Sequence, residues 1–146
     1  AGNVKDSKFI QLSSWITIYP FSNTQLYFTP RIYYKSGEEG FGWNTVGISG
    51  GLSLGKVHIT GQYLFGDMDN FVESNGYIVS NFSVKSDHKI LGNIYFPLGK
   101  KYLFSLRYIY QNVIEKYQVY TLGEKSNHLE YNYHLQTITA GILWKF

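Results

Sequence analysis

The sequence predicts an all-β chain folded as an antiparallel up-and-down barrel of about eight strands that spans a membrane. Three observations carry this. Apolar and small or polar residues alternate along most of the chain; charged residues are only 16% of it while aromatic residues are 18%, against a usual quarter for charge; and the non-apolar face of the clearest segments carries Gly, Ser, Thr, Gln and His instead of Lys, Glu and Asp. A half-buried soluble strand alternates too, but its outer face must meet water. At 146 residues the chain forms one domain, residues 1–146.

Each segment follows from the period of two. Ile10, Leu12, Ile16 and Ile18 alternate with Gln11, Ser13, Trp15 and Thr17, and Pro20 to Asn23 mark a turn. Leu26, Phe28, Ile32 and Tyr34 then oppose Gln25, Tyr27, Thr29, Arg31 and Lys35. Pro30 interrupts this segment; lacking an amide donor, it belongs at a bulge or where the ladder leaves its nitrogen unpaired. Val46, Ile48, Gly50, Leu52 and Leu54 oppose Thr45, Gly47, Ser49, Gly51 and Ser53, the tight link Gly55-Lys56 follows, and Val57, Ile59, Gly61, Tyr63 and Phe65 continue the pattern as a hairpin.

From Tyr77 to Leu98 the even positions Ile78, Phe82, Val84, Ile90, Ile94, Phe96 and Leu98 read as one long strand. Leu98 to Lys101 form a turn into Tyr102, Phe104, Leu106, Tyr108 and Tyr110, and the last segment ends Ile138, Ala140, Ile142, Trp144, Phe146. Outward aromatics near strand ends match the belts found at headgroup level.

The reading gives seven strands, whereas a closed bacterial barrel has an even number. Three repairs present themselves: the first nine residues add a strand, Lys85 to Lys89 split the long segment, or the chain is the C-terminal part of a larger barrel. Short turns (Pro20–Asn23, Gly55-Lys56, Leu98–Lys101) and longer acidic connections (Ser36–Gly42, Asp67–Gly76, Leu122–His128) sort to opposite ends.

The C-terminal strand, with Phe146 last and Trp144 and Ile142 at alternate positions before it, resembles that of bacterial outer-membrane β-barrel proteins. The resemblance covers the last strand closely and the rest in rhythm. It implies an outer-membrane location, surrounding lipid, and a barrel-insertion machinery that reads Ile142, Trp144 and Phe146 as its signal. The start on Ala1-Gly2 suits a processed, exported chain.

Candidate functional residues are those whose parity turns them to a lumen: Arg31, His58, Gln62, Asn93 and Arg107. They form either a polar, anion-tolerant lining or a hydrogen-bonded plug, since about eight strands enclose a lumen that side chains fill. No acid lies at their level, so the arginines call for carbonyls, tyrosine hydroxyls, water or a further barrel segment as partners. The expected role is structural, in surface interaction or in small-solute passage, without enzymatic activity and without a cofactor. A lipid-modifying enzyme would need a Ser, His and carboxylate set at the outer rim; Asp87 and His88, as strand neighbours, are expected to point apart. Asp67, Asp69, Asn70 and Glu73 lack the register of a calcium loop, and cysteine is absent, so no metal site is expected. A net charge of +3, scattered along the chain, speaks against nucleic acid. The competing class is a soluble all-β module binding carbohydrate through exposed Tyr and Trp.

Overall fold

The computed structural model describes residues 9–37, 42–66, 68, 71–73, 78–80, 85–119 and 127–144. Every described element is a strand: β1 (Phe9–Trp15), β2 (Leu26–Gly37), β3 (Gly42–Leu54), β4 (Val57–Gly66), β5 (Phe71–Glu73), β6 (Ile78–Ser80), β7 (Lys85–Leu98), β8 (Tyr102–Val119) and β9 (Asn127–Trp144). Seven of them form one antiparallel up-and-down sheet in the order β1-β2-β3-β4-β7-β8-β9, while β5 and β6 pair as a separate two-stranded ribbon. The main sheet is not closed into a barrel. β1 and β9 are its edges, so the expected ring of about eight strands is realised as seven strands in an open sheet.

Local chemistry explains the boundaries. Leu54 pairs with Val57 across Gly55-Lys56, and Gly55 has φ +60°, the left-handed first position that a type II′ hairpin turn reserves for glycine. In the first hairpin the register stays constant from Trp15↔Arg31 to the bridge Ile18↔Phe28, yet pairing lapses between them. Ile16 N–H donates to the Pro30 carbonyl at 3.4 Å, but proline has no N–H to return, so both reciprocal bridges at that point are lost. Pro30 therefore needs no bulge; it ends β1.

The single long strand expected over 77–98 is two elements: β6 pairs with β5, inside what the sequence suggests is a loop, and β7 begins at Lys85. Nor do Lys85 to Lys89 form a turn. They are strand residues carrying a register shift between Ser86 and His88, with Asp87 as the extra residue opposite β8. Such a bulge inverts face parity on one side of itself, so Ser86 is buried whereas His88 and Ile90 lie on the opposite face.

Burial runs contrary to that of a soluble sheet. On the interior strands the polar or small face is the covered one, with Thr29, Lys35, Thr45 and Ser86 buried beside Tyr33, Leu64 and Val113. Phe28, Ile32, Val46, Ile48, Ile59, Tyr63, Phe65, Ile90 and Ile94 on the other face are exposed. Among the described residues no second sheet packs on the covered face, and Tyr33, Leu64 and Met68 form a small apolar cluster there.

One line crosses the apolar face without side chains. Gly50 pairs with Gly61 and Gly61 with Gly92, between Phe28 and Tyr108. Around this line lies a shallow groove of about 510 Å³ walled by Leu26, Ile48, Leu52, Ile59 and Ile90. On the polar face Tyr27 lays its ring over Gly51, where an added Cβ would fall 2.4 Å from the ring, an aromatic covering a cross-strand glycine.

Candidate functional site

The ladder places Arg31, His58, Gln62, Asn93 and Arg107 on one face, the polar one, in four successive rows along β4. The row nearest the short turns runs Ser53, His58, Tyr95, Ser105; the second Gly51, Thr60, Asn93, Arg107, Thr139; the third Thr29, Ser49, Gln62, Leu91; the fourth Arg31, Gly47, Leu64, Lys89, Gln111. Rows on one face repeat every two residues, ~6.6 Å along a strand.

Hydrogen bonds knit the first three rows. Ser53 Oγ lies 2.8 Å from His58 Nδ1, Asn93 Nδ2 donates to Thr60 Oγ1 at 3.1 Å, Thr17 and Thr29 hydroxyls meet at 3.0 Å, and Ser49 Oγ donates to the Thr29 carbonyl at 3.5 Å. Asn93 and Arg107 are direct cross-strand neighbours. Arg31 stands apart. Its guanidinium sits 5.7 Å from the Trp15 ring centroid, a cation–π contact, with Trp15 directly opposite it in register. Its Nε is buried with no hydrogen-bond partner among the described residues. The indole is a partner that parity alone does not reveal, because it requires the β1–β2 register. These four rows carry Arg31, Lys89 and Arg107 and no carboxylate, so they offer hydroxyls, amides and positive charge, a chemistry suited to water, hydroxylated solutes and anions; farther toward the loop end the same face carries Glu115, which accepts from Tyr133 Oη at 2.8 Å.

At the loop end the bulge overturns one expectation. Asp87 and His88 do not point apart: His88 Nε2 lies 3.4 Å from Asp87 Oδ2. Tyr63 Oη lies 3.0 Å from His88 Nδ1, and Asn112 Nδ2 donates to Asp87 Oδ1 at 2.7 Å, completing a chain Tyr63–His88–Asp87–Asn112. The extra residue at the bulge rotates Asp87 out of strict alternation. A second tyrosine–histidine pair, Tyr110 Oη to His134 Nδ1 at 2.9 Å, lies two strands along with its rings stacked. Neither histidine has a serine among the hydrogen-bond partners found for it, so the nucleophile set of a lipid-modifying enzyme is not assembled by these contacts. Asn112 is buried, so Asp87→Ala strands its amide donor. The expected loss is about 1–3 kcal/mol, read as a lowered urea unfolding midpoint, and Asp87→Asn, which keeps an acceptor, should lose less.

The remaining calls fall as follows. Ile142 and Trp144 sit on the apolar face at the end of β9 and are exposed, with the Trp144 ring stacked on Tyr102 at 6.3 Å; Phe146 lies outside the described residues, as do Asp67, Asp69 and Asn70. No group of three or more His, Cys, Asp or Glu that could hold a metal occurs among the described residues. No family model, curated protein or solved structure matches the chain.

Proposed function

We propose that the chain is an outer-membrane β-barrel protein whose polar face lines a lumen and whose apolar face meets lipid, acting in structure, surface interaction or small-solute passage. The observation that carries this reading is the inverted burial: leucines, isoleucines and aromatics lie exposed on one face of the main sheet while threonine, serine and lysine are buried on the other. A water-soluble sheet loses free energy by exposing such a continuous apolar face; in hydrocarbon the same face is the favourable one.

The face has membrane dimensions. His134 and Trp144 on β9 are ten residues apart, ~33 Å along a strand, which at a tilt of about 40° gives ~25 Å along the membrane normal, the height of an apolar band between aromatic girdles. Tyr63, Tyr110, His88 and His134 border one end of the band, and Tyr102, Trp144, Phe96 and Phe104 the other. In this reading Arg31, Lys89 and Arg107 give the lumen an anion-tolerant character.

The test is gel mobility of the detergent-folded protein with and without boiling, together with its solubility after detergent removal. A heat-dependent shift with precipitation on detergent removal is expected. An unshifted, detergent-free soluble monomer would overturn the reading and favour a soluble module using its exposed aromatics.

A further inference from the structure

We infer that the pocket at the turn end of the polar face is a binding site for a soluble phosphate monoester, with Lys56 and His58 holding the phosphate and Pro97 and Leu103 taking the apolar body of the ester. The inference deepens the lumen reading above by giving that face a site and a ligand class, and it rests on that reading for the side from which the ligand arrives.

The pocket has a volume of about 540 Å³ and is lined by Gly55, Lys56, His58, Tyr95, Pro97 and Leu103, within the ~300–1,000 Å³ usual for small-molecule sites. Register builds it. His58 pairs with Tyr95 and Pro97 with Leu103, two successive rows of the polar face, and Lys56 joins them from the turn between β3 and β4. One row supplies hydrogen-bonding groups and the other an apolar wall.

The polar side is short of acceptors. Ser53 Oγ lies 2.8 Å from His58 Nδ1; when that hydroxyl donates, the ring proton sits on Nε2, which has no partner among the described residues. Lys56 forms no ion pair and the Tyr95 hydroxyl no hydrogen bond among the described residues. The described carboxylates lie elsewhere: Asp87, Glu115 and Glu130 stand in the loop-end parts of β7, β8 and β9, and Glu73 in β5. Lys100 and Lys101 in the neighbouring turn add positive potential without lining the pocket, and Arg107 is the next cation one row inward, exposed on the same face. A phosphate group supplies what is missing, a concentrated negative charge and several oxygens that accept charge-assisted hydrogen bonds.

The same chemistry belongs to a phospholipid headgroup, and the face separates the two sources. His58 and Tyr95 lie opposite the side of Ile59 and Ile94, which in this reading meets hydrocarbon, so the pocket opens to the water of the lumen and its occupant is a soluble ester.

Protein folded in an uncharged detergent is titrated calorimetrically with phenyl phosphate and with inorganic phosphate, each variant having first shown the heat-dependent gel shift of the wild type. Phenyl phosphate should saturate a single site and bind more tightly than inorganic phosphate. Lys56→Gln and His58→Gln should each weaken it roughly tenfold, as loss of a charge-assisted hydrogen bond implies. Leu103→Ser should remove the preference for the phenyl ester, and Lys100→Gln, outside the pocket, should leave binding nearly unchanged. Absence of saturable binding, or equal weakening by Lys100→Gln and Lys56→Gln, overturns the site. Phosphatidic acid added to the micelles should not displace phenyl phosphate; displacement would assign the pocket to a lipid headgroup and overturn the soluble source. Flotation with phosphatidylcholine vesicles separates the two readings. A protein that does not float overturns the membrane reading and with it the lumen as the source, whereas a floating protein without saturable phenyl phosphate binding overturns this site alone.

Discussion

Ile94→Arg is expected to destabilise the vesicle-inserted protein by about 2–4 kcal/mol, the penalty of a guanidinium on the lipid face at the bilayer midplane. Ile94 pairs with Leu106 and Leu106 with Ala140, which lies four residues from Trp144 and six from His134 and so falls near the middle of the apolar band. The same side chain is already 37% exposed. In a water-soluble sheet, an arginine there would meet solvent and change stability by no more than about 0.5 kcal/mol. Thr137→Lys, on the polar face of β9, is the control and should be nearly silent. Urea titration of the inserted protein, followed by tryptophan fluorescence, separates the outcomes. Equal midpoints for wild type and Ile94→Arg would mean that the exposed apolar face does not face hydrocarbon.

The second large effect concerns the glycine line. At Gly50 an added Cβ would lie 2.9 Å from the Tyr27 carbonyl oxygen and 3.7 Å from Phe28 Cα, both backbone atoms of the neighbouring strand, whereas at Gly92 no atom lies within 4 Å. Gly50→Val must push β2 away from β3, and such overpacking typically costs about 1–3 kcal/mol. Gly92→Ala meets nothing, and its φ is not in the left-handed region. It should stabilise by about 0.4–1 kcal/mol by restricting the unfolded chain. Opposite signs at two glycines of one line, measured as urea midpoints under identical conditions, would show that the β2–β3 contact, and not a general need for glycine on this face, fixes Gly50. Equal losses at both would contradict that.

Strands and faces were legible in the sequence wherever alternation was uninterrupted. β3, β4 and β8 follow it directly, and the turn at Gly55-Lys56 was readable because a two-residue hairpin needs a residue tolerant of positive φ. Legibility failed where one residue altered the count. Asp87 inserts into β7, so parity read upward from Ile90 assigns the wrong face to residues beyond it, and the Tyr63–His88–Asp87–Asn112 chain was invisible for the same reason. β5 and β6 pair over three residues each, too few to establish a period. The face of Arg31, His58, Gln62, Asn93 and Arg107 came from parity alone. Their neighbours did not, because Trp15 beside Arg31 and Thr60 beside Asn93 depend on inter-strand register, which alternation leaves free to slide by two residues.

The ladders lengthen unevenly across the sheet. β8 and β9 pair over 18 residues each, while β1 and β2 pair over seven before Pro30 interrupts them. What sets the β8–β9 hairpin apart is the number of its bonds, not the length of its connection, which exceeds those after β3 and β7. Local opening is therefore expected to follow ladder length, with amide hydrogens of β1 exchanging fastest and those of the β8–β9 ladder among the slowest. The strand bearing Ile142 and Trp144 is thus held by the longest ladder of the main sheet, while β1, held by the shortest, is the expected point of earliest release.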